Sequence, residues 1–82
     1  MKKVIRVKPK VFKIICEFED GRVVEYDMSF VKSQSGPMID PLKDKAFFKQ
    51  VSILDGDVIW PNGYDLNPDI IYTEGQVISE AS

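Results

Sequence analysis

Hydrophobic and polar residues alternate along the first third of the chain, a pattern typical of strands. A short apolar run over residues 4–7 is expected to stop at Pro9. Residues 11–18 alternate with a period of two, and residues 22–27 resume the pattern after a turn sequence at residues 19–21. The apolar positions of the second strand share one face: Phe12, Ile14, Cys16 and Phe18.

The faces of these strands predict how they pair. A two-residue loop would place Glu25 opposite Cys16, and so put a carboxylate on the apolar face. A three-residue loop avoids this and requires Gly21 at positive φ in a bulge turn. The predicted pairs are therefore Phe18 with Arg22, Cys16 with Val24, Ile14 with Tyr26 and Lys13 with Asp27.

The middle of the chain is irregular until a short helix near residue 47. Residues 33–37 have the composition of a loop. The helix begins either at Asp40-Pro41, since proline suits the first helical position, or after Asp44, a good N-cap. The pattern leaves both starts open and assigns no role to residues 28–43.

A second hairpin and a second helix complete the pattern. Residues 51–54 and 58–60 flank an aspartate–glycine pair, a strong signal for a two-residue hairpin turn. Asn67 is a good helix N-cap, and Gly75 ends the helix after about two turns. Residues 77–78 add a last short extended segment.

These elements predict an α+β fold with antiparallel pairing. The order is three strands, a helix, a two-stranded hairpin and a helix, and hairpin-length connections imply antiparallel neighbours. We expect one sheet of about five strands, a three-strand meander plus the hairpin, with two short helices on one face. The 82 residues are expected to form a single domain, residues 1–82, with a frayed tail at residues 79–82.

The amino-acid composition excludes several kinds of catalytic and metal-binding site. The chain has no histidine, which excludes Ser-His and Cys-His nucleophile activation and most zinc sites. Its one cysteine, Cys16, forms no internal disulfide, which fits a reducing, cytoplasmic setting, and its position on an apolar strand face predicts a buried, inert thiol. The longest apolar runs are three residues, so no membrane span and no secretory signal are expected. We expect no catalytic residue, metal site or cofactor, and no enzymatic activity.

Charge is polarised along the chain although the net charge is only −2. Residues 1–13 contain six basic residues and no acid, and after Lys49 every charged residue is acidic. The two ends either lie close together and partly neutralise each other, or face partners of opposite charge. Nucleic acid is the less favoured partner, because domains that bind it usually carry net positive charge. The candidate basic patch consists of Lys2, Lys3, Arg6 and Lys8.

Aromatic, turn and acidic residues cluster in the last third of the sequence. Trp60-Pro61-Asn62-Gly63 has the residues favoured in a type I turn. Aromatic side chains rimmed by acids can anchor protein contacts, although a place in the core explains Trp60 and Tyr72 as well. The candidate interaction surface consists of Trp60, Pro61, Asn62, Tyr64, Asp65, Asp69 and Tyr72.

The segment WPNGYDLNPDIIY at residues 60–72 resembles the signature of a bacterial family known as domain of unknown function 2442. FEDG at residues 18–21 and PLKD at residues 41–44 are similar to the family too. The resemblance implies a small α+β protein without an established activity. Some members carry an added helix-turn-helix domain that binds DNA, and others are encoded beside a second small protein in arrangements that look like toxin–antitoxin pairs.

The resemblance implies a partner-binding or regulatory module. Since 82 residues leave no length for a helix-turn-helix, direct operator binding is not expected. The first hypothesis is a protein-interaction module, such as the antitoxin-like partner of a small neighbouring protein, which binds that protein or a second copy of itself. The alternatives are a nucleic-acid-associated regulator that uses the basic patch and a small-molecule binder. No membrane partner is expected.

Overall fold

Seven strands and two α-helices lie within residues 2–80, the part of the chain that the computed structural model describes. The strands are β1 (Val4–Lys10), β2 (Lys13–Phe18), β3 (Val23–Asp27), β4 (Ser52–Leu54), β5 (Asp57–Ile59), β6 (Asp65–Leu66) and β7 (Gln76–Ser79). The α-helices are α1 (Lys45–Phe48) and α2 (Pro68–Glu74), and two 3-10 helices span Ser29–Lys32 and Asp40–Lys43.

The α+β class and the antiparallel pairing are confirmed, but the expected single sheet is wrong. The strands form a four-stranded sheet in the order β1-β2-β3-β7 and a three-stranded sheet in the order β4-β5-β6. The chain folds back after β5, so that Leu66 in β6 pairs with Val58 and makes the third strand of the smaller sheet. The C-terminal segment pairs with β3 rather than ending free. Of the two helices, α2 packs on β3 and α1 packs on the second 3-10 helix.

The first strand runs further than the sequence predicts. β1 continues through Pro9, which lies opposite Ile14, to Lys10. A proline is accommodated because β1 is an edge strand, where the missing N–H can face solvent. The turn to β2 therefore occupies Val11 and Phe12, and the predicted strand over residues 11–18 is shortened to Lys13–Phe18. Phe12 adopts φ 53°, although its ring still packs against the core.

The pairing predicted for β2 and β3 is confirmed. Gly21 has φ 92°, and the amide of Phe18 donates to the carbonyl of Arg22 over 2.8 Å. The three other pairs also have the predicted partners: Lys13 with Asp27, Ile14 with Tyr26 and Cys16 with Val24. The apolar face therefore decided the register.

Both of the candidate starts for the first helix are used. Asp40-Pro41 opens a 3-10 helix, whereas Asp44 caps α1 itself. The Asp44 carboxylate accepts from the amides of Ala46 and Phe47 over 2.8 and 3.3 Å. The pattern could not choose between the starts because each begins a real, separate turn of helix.

The second half of the chain follows the predicted turns and caps. Leu54 pairs with Asp57 across the β4–β5 turn, as expected. The Asn67 side chain caps α2 by accepting from the Asp69 amide over 2.8 Å. Gly75 ends α2 with φ −75°, an ordinary value, so its lack of a side chain matters for space. A Cβ there would lie 2.2 Å from Cγ1 of Val24.

One core joins the two sheets. Its buried side chains come from both sheets and from the helices: Val4, Ile14, Cys16, Phe18, Val24, Met28, Val31, Leu42, Phe48, Val58, Trp60 and Ile71. Cys16 is buried as predicted, and burial raises the pKa of its thiol to about 12. No helix within residues 2–80 is long and apolar enough to cross a bilayer.

The tail that the sequence predicts to fray is only partly within the described residues. Ser79 pairs with Val23 in β7, and Glu80 forms an ion pair with Arg22. Residues 81–82 lie outside the described residues.

Candidate interaction surface

The turn at residues 60–64 is held in shape by hydrogen bonds. The amide of Gly63 donates to the carbonyl of Trp60 over 3.0 Å, and the amide of Trp60 donates to the carbonyl of Tyr64 over 2.9 Å. Asn62 accepts from the Tyr64 amide over 3.2 Å and donates through Nδ2 to the Met38 carbonyl over 2.9 Å. Asn62 therefore ties the turn to the loop that precedes the second 3-10 helix.

Trp60 belongs to the core and not to the surface. Its side chain is 2% exposed, and its indole N–H donates to the Phe48 carbonyl over 2.9 Å. Tyr64 is half-buried and packs edge-on against Trp60 with ring centroids 5.8 Å apart. Burial, with smaller contributions from Tyr26 and Asp65, raises the pKa of the Tyr64 hydroxyl. Of the candidate aromatic anchors, Tyr64 alone stays beside the turn with an exposed part.

Three aspartates line one open cleft, which we call the acidic cleft. Asp57, Asp65 and Asp69 surround a volume of about 290 Å³ together with residues 66–68. Asp65 comes from β6, Asp69 from the first turn of α2 and Asp57 from the start of β5, so the β5–β6 pairing assembles the cleft. Within residues 2–80, no three carboxylate or thiol groups come close enough together to hold a metal ion.

Tyr72 lies in a different cluster from the acidic cleft. Its hydroxyl donates to Oδ2 of Asp20 over 2.6 Å, and its ring packs edge-on against Phe18. Lys2 Nζ and the Arg22 guanidinium lie 4.3 and 4.2 Å from the ring centroid. Hydrogen bonds from the Tyr72 hydroxyl and the Arg22 amide hold the pKa of the Asp20 carboxyl below its usual value. The ring therefore has its contacts within this chain.

The four residues of the candidate basic patch have different neighbours. Lys2 donates through its amide to Oδ1 of Asp69 over 2.8 Å, which brings the basic start of the chain against the acidic cleft. Lys3 lies against the β4–β5 turn, where its Cγ would be 2.8 Å from a Cβ at Gly56. Arg6 lies 3.6 Å from Glu17, and Lys8 is paired with Ile15 further along β1.

Sequence reasoning missed the residues that hold Tyr72. The sequence pattern places Asp20 in a predicted turn and Arg22 at the start of a predicted strand. No local pattern could have connected Asp20 to Tyr72, because the two are 52 residues apart. Only the docking of α2 beside the β2–β3 turn brings them together.

A comparison with known protein families shows to which family the chain belongs. A family model described as "Protein of unknown function (DUF2442)" matches residues 4–76. The chain belongs to the DUF2442 family. The match confirms the family resemblance inferred from the sequence and covers residues 4–76. Searches of curated proteins and of solved structures gave no match. The description of DUF2442 assigns the family no activity.

Proposed function

We propose that this chain is a non-catalytic protein-interaction module that binds its partner through the acidic cleft. The observation that carries the proposal is the convergence of Asp57, Asp65 and Asp69 on one open cleft. Each comes from a different element, so their grouping is a property of the fold. Carboxylates that line a cleft attract basic partners over distance, and the Asp69 carboxylate also accepts a hydrogen bond from the Lys2 amide.

The turn beside the cleft supports binding because it is fixed before a partner arrives. Both hydrogen bonds of the Asn62 side chain remain within the chain, one to Tyr64 and one to Met38. A surface that is already ordered loses less conformational entropy when it binds. Asp65 follows this turn directly and is exposed.

The charge of the cleft indicates the chemistry of the partner. A small protein with exposed lysine or arginine side chains would complement three carboxylates, and such charges speed encounter and set its salt dependence. The antitoxin-like arrangement implied by the family resemblance would supply such a protein from a neighbouring gene. The absence of histidine from the sequence supports a binding role over a catalytic one.

Charge reversal at Asp65 tests the proposal. The tagged chain is co-expressed with its neighbouring reading frame and purified, and captured protein is compared for Asp65→Lys and Glu19→Lys. Glu19 is also an exposed acid and lies in the β2–β3 turn, so the control makes the same charge change outside the cleft. We expect Asp65→Lys to lose the partner and Glu19→Lys to keep it, with both thermal midpoints within a few degrees of the parent.

Two results would contradict the proposal. Equal capture by the two variants would show that the acidic cleft is not the contact. Failure to capture any protein, with retention of RNA or DNA at roughly 0.15 M salt, would favour the nucleic-acid alternative. The combined change of Lys2, Lys3 and Arg6 to Gln would then abolish that retention.

A further inference from the structure

The two most exposed large apolar side chains within residues 2–80 lie at opposite ends of β1. Val11 is 64% exposed and follows the last residue of the strand. Leu54 is 57% exposed and precedes the β4–β5 turn, whose Gly56 carbonyl accepts from the amide of Val4 over 2.9 Å. At the rise of a strand, the six steps from Val4 to Lys10 span about 20 Å. The two side chains therefore cannot contact each other within one molecule.

Val11 borders a small cleft with an apolar floor and a basic rim, which we call the lysine cleft. The floor is formed by Val11, Phe12 and Phe48, and the rim by Lys10, Lys45 and Lys49. Its volume is about 70 Å³. Pockets for whole small molecules measure roughly 300–1,000 Å³, so this cleft has room for a single side chain.

The floor of the lysine cleft is fixed by its packing. Phe12 meets Phe48 edge-on with ring centroids 5.6 Å apart, and Lys32 Nζ lies 5.1 Å from the Phe12 ring centroid. Phe12 itself adopts φ 53°, a conformation that is uncommon for a residue other than glycine. The cleft is therefore present before anything enters it.

The rim keeps positive charge that the chain does not neutralise. Lys10 lies 4.0 Å from Glu25, and the Asp44 carboxylate is occupied in capping α1. Among the described residues, Lys45 and Lys49 form no ion pair within 4.0 Å. An apolar side chain flanked by carboxylates would match both the floor and the rim.

The β4–β5 turn has this chemistry. The sequence Leu54-Asp55-Gly56-Asp57 presents an exposed leucine beside the carboxylates of Asp55 and Asp57. The stem of Lys3 packs under Gly56 and supports the turn from behind. The chain thus exposes two complementary surfaces, the lysine cleft and the Leu54 turn, about one strand length apart.

We propose that the lysine cleft binds the Leu54 turn of a second copy of this chain. Leu54 enters the apolar floor, and the adjacent carboxylates face Lys45 and Lys49. The contact joins different patches of the two copies, so association is head-to-tail. The two proposals share Asp57, which also lines the acidic cleft, whereas Leu54 and Val11 lie outside that cleft.

Sedimentation equilibrium of the full chain tests the proposal. Between about 10 μM and 1 mM at low ionic strength, we expect the weight-average mass to rise above that of the monomer, and to rise less in about 0.5 M salt. Leu54→Ser and Val11→Ser should each weaken association about tenfold or more, because each removes the apolar contact. Ile70→Ser is the matched control, since Ile70 is 42% exposed and lies on α2 outside both surfaces.

Mixing the two variants tests the head-to-tail geometry. The Leu54→Ser chain keeps an intact lysine cleft, and the Val11→Ser chain keeps an intact Leu54 turn. An equimolar mixture should therefore form heterodimers through one contact, and no larger assemblies. A parent that stays monomeric to about 1 mM would overturn the proposal. A mixture of the two variants that fails to associate would also overturn it. So would an Ile70→Ser variant whose self-association is weakened as much as that of Leu54→Ser or Val11→Ser. None of these changes touches Asp65, so the outcome is separate from that of the capture experiment.

Discussion

At the scale of single residues, the hydrogen bond between Tyr72 and Asp20 makes stability depend on pH. The pKa of Asp20 is lowered in the folded state, chiefly by the Tyr72 hydroxyl. A lowered folded-state pKa means that the carboxylate stabilises the fold above its unfolded-state pKa. That contribution is lost as pH falls through the folded-state pKa.

Tyr72→Phe should therefore lose more stability where Asp20 is ionised than where it is protonated. We expect the free energy of unfolding in urea to be lower for Tyr72→Phe than for the parent at pH 7. The difference should shrink as pH falls below about 4, the usual pKa of an aspartate, and through the lower folded-state pKa. Tyr64→Phe is the control, because the main cause of its raised pKa is burial and its difference from the parent should not change over this range. A Tyr72→Phe difference that is constant with pH would contradict the role given to Asp20.

The roles of residues that contact their sequence neighbours could be predicted from the sequence. The roles of residues whose partners are distant in sequence could not. Asn67 and Asp44 cap helices within three positions of themselves, so a local pattern reveals them. Tyr72 is recognisable only as an aromatic residue, because its partners Asp20 and Arg22 are distant in sequence. The same limit applies to Trp60, whose burial depends on the position of Phe48.

At the scale of elements, turns and faces determined what could be predicted. The β2–β3 pairing followed from an apolar face and a glycine turn, both of which are local. The extension of β1 through Pro9 was missed because it depends on the strand being at an edge, which the sequence does not state. The two-residue strand β6 was missed because its length is too short for any alternation to appear.

The junction between α2 and β7 depends on the space left by Gly75. A Cβ at this position would lie 2.2 Å from Cγ1 of the buried Val24 and 2.8 Å from the carbonyl oxygen of Ile71. We expect Gly75→Ala to reduce the free energy of unfolding by about 1–3 kcal/mol, the usual range for overpacking a core. Urea unfolding monitored by circular dichroism measures this loss.

A double-mutant cycle identifies the cause of that loss. Val24→Ala removes the nearest side-chain atoms, so the Gly75→Ala change should be less damaging in that background than in the parent. Strictly additive losses would show that the clash with Val24 is not the cause. The contact with the Ile71 carbonyl would remain in both backgrounds.

At the scale of the whole molecule, the smaller sheet depends on the larger one. Among the residues of β4, β5 and β6, Val58 alone is fully buried. Val58 and Trp60 pack in the same core as Phe18 and Val24 of the larger sheet. The backbone hydrogen bond between Val4 and Gly56 joins the two sheets at their edges. Neither sheet should therefore unfold alone.

The chain carries one natural probe for each half of this core. Its one tryptophan, Trp60, follows β5, and its one cysteine, Cys16, lies in β2. Cys16 is buried and its thiol pKa is raised to about 12, so a thiol reagent at about pH 8 should react only after unfolding. In a urea series, we expect Trp60 fluorescence and Cys16 labelling to give the same midpoint.

Val58→Ala makes this comparison decisive because it weakens the smaller sheet directly. Removal of the two buried methyl groups should reduce stability by about 1–3 kcal/mol. If the molecule is one cooperative unit, the midpoint of Cys16 labelling in the larger sheet should fall by as much as that of Trp60 fluorescence. If the Trp60 midpoint moves to lower urea while Cys16 stays protected from labelling, the smaller sheet unfolds separately. The single-domain prediction for residues 1–82 would then be wrong.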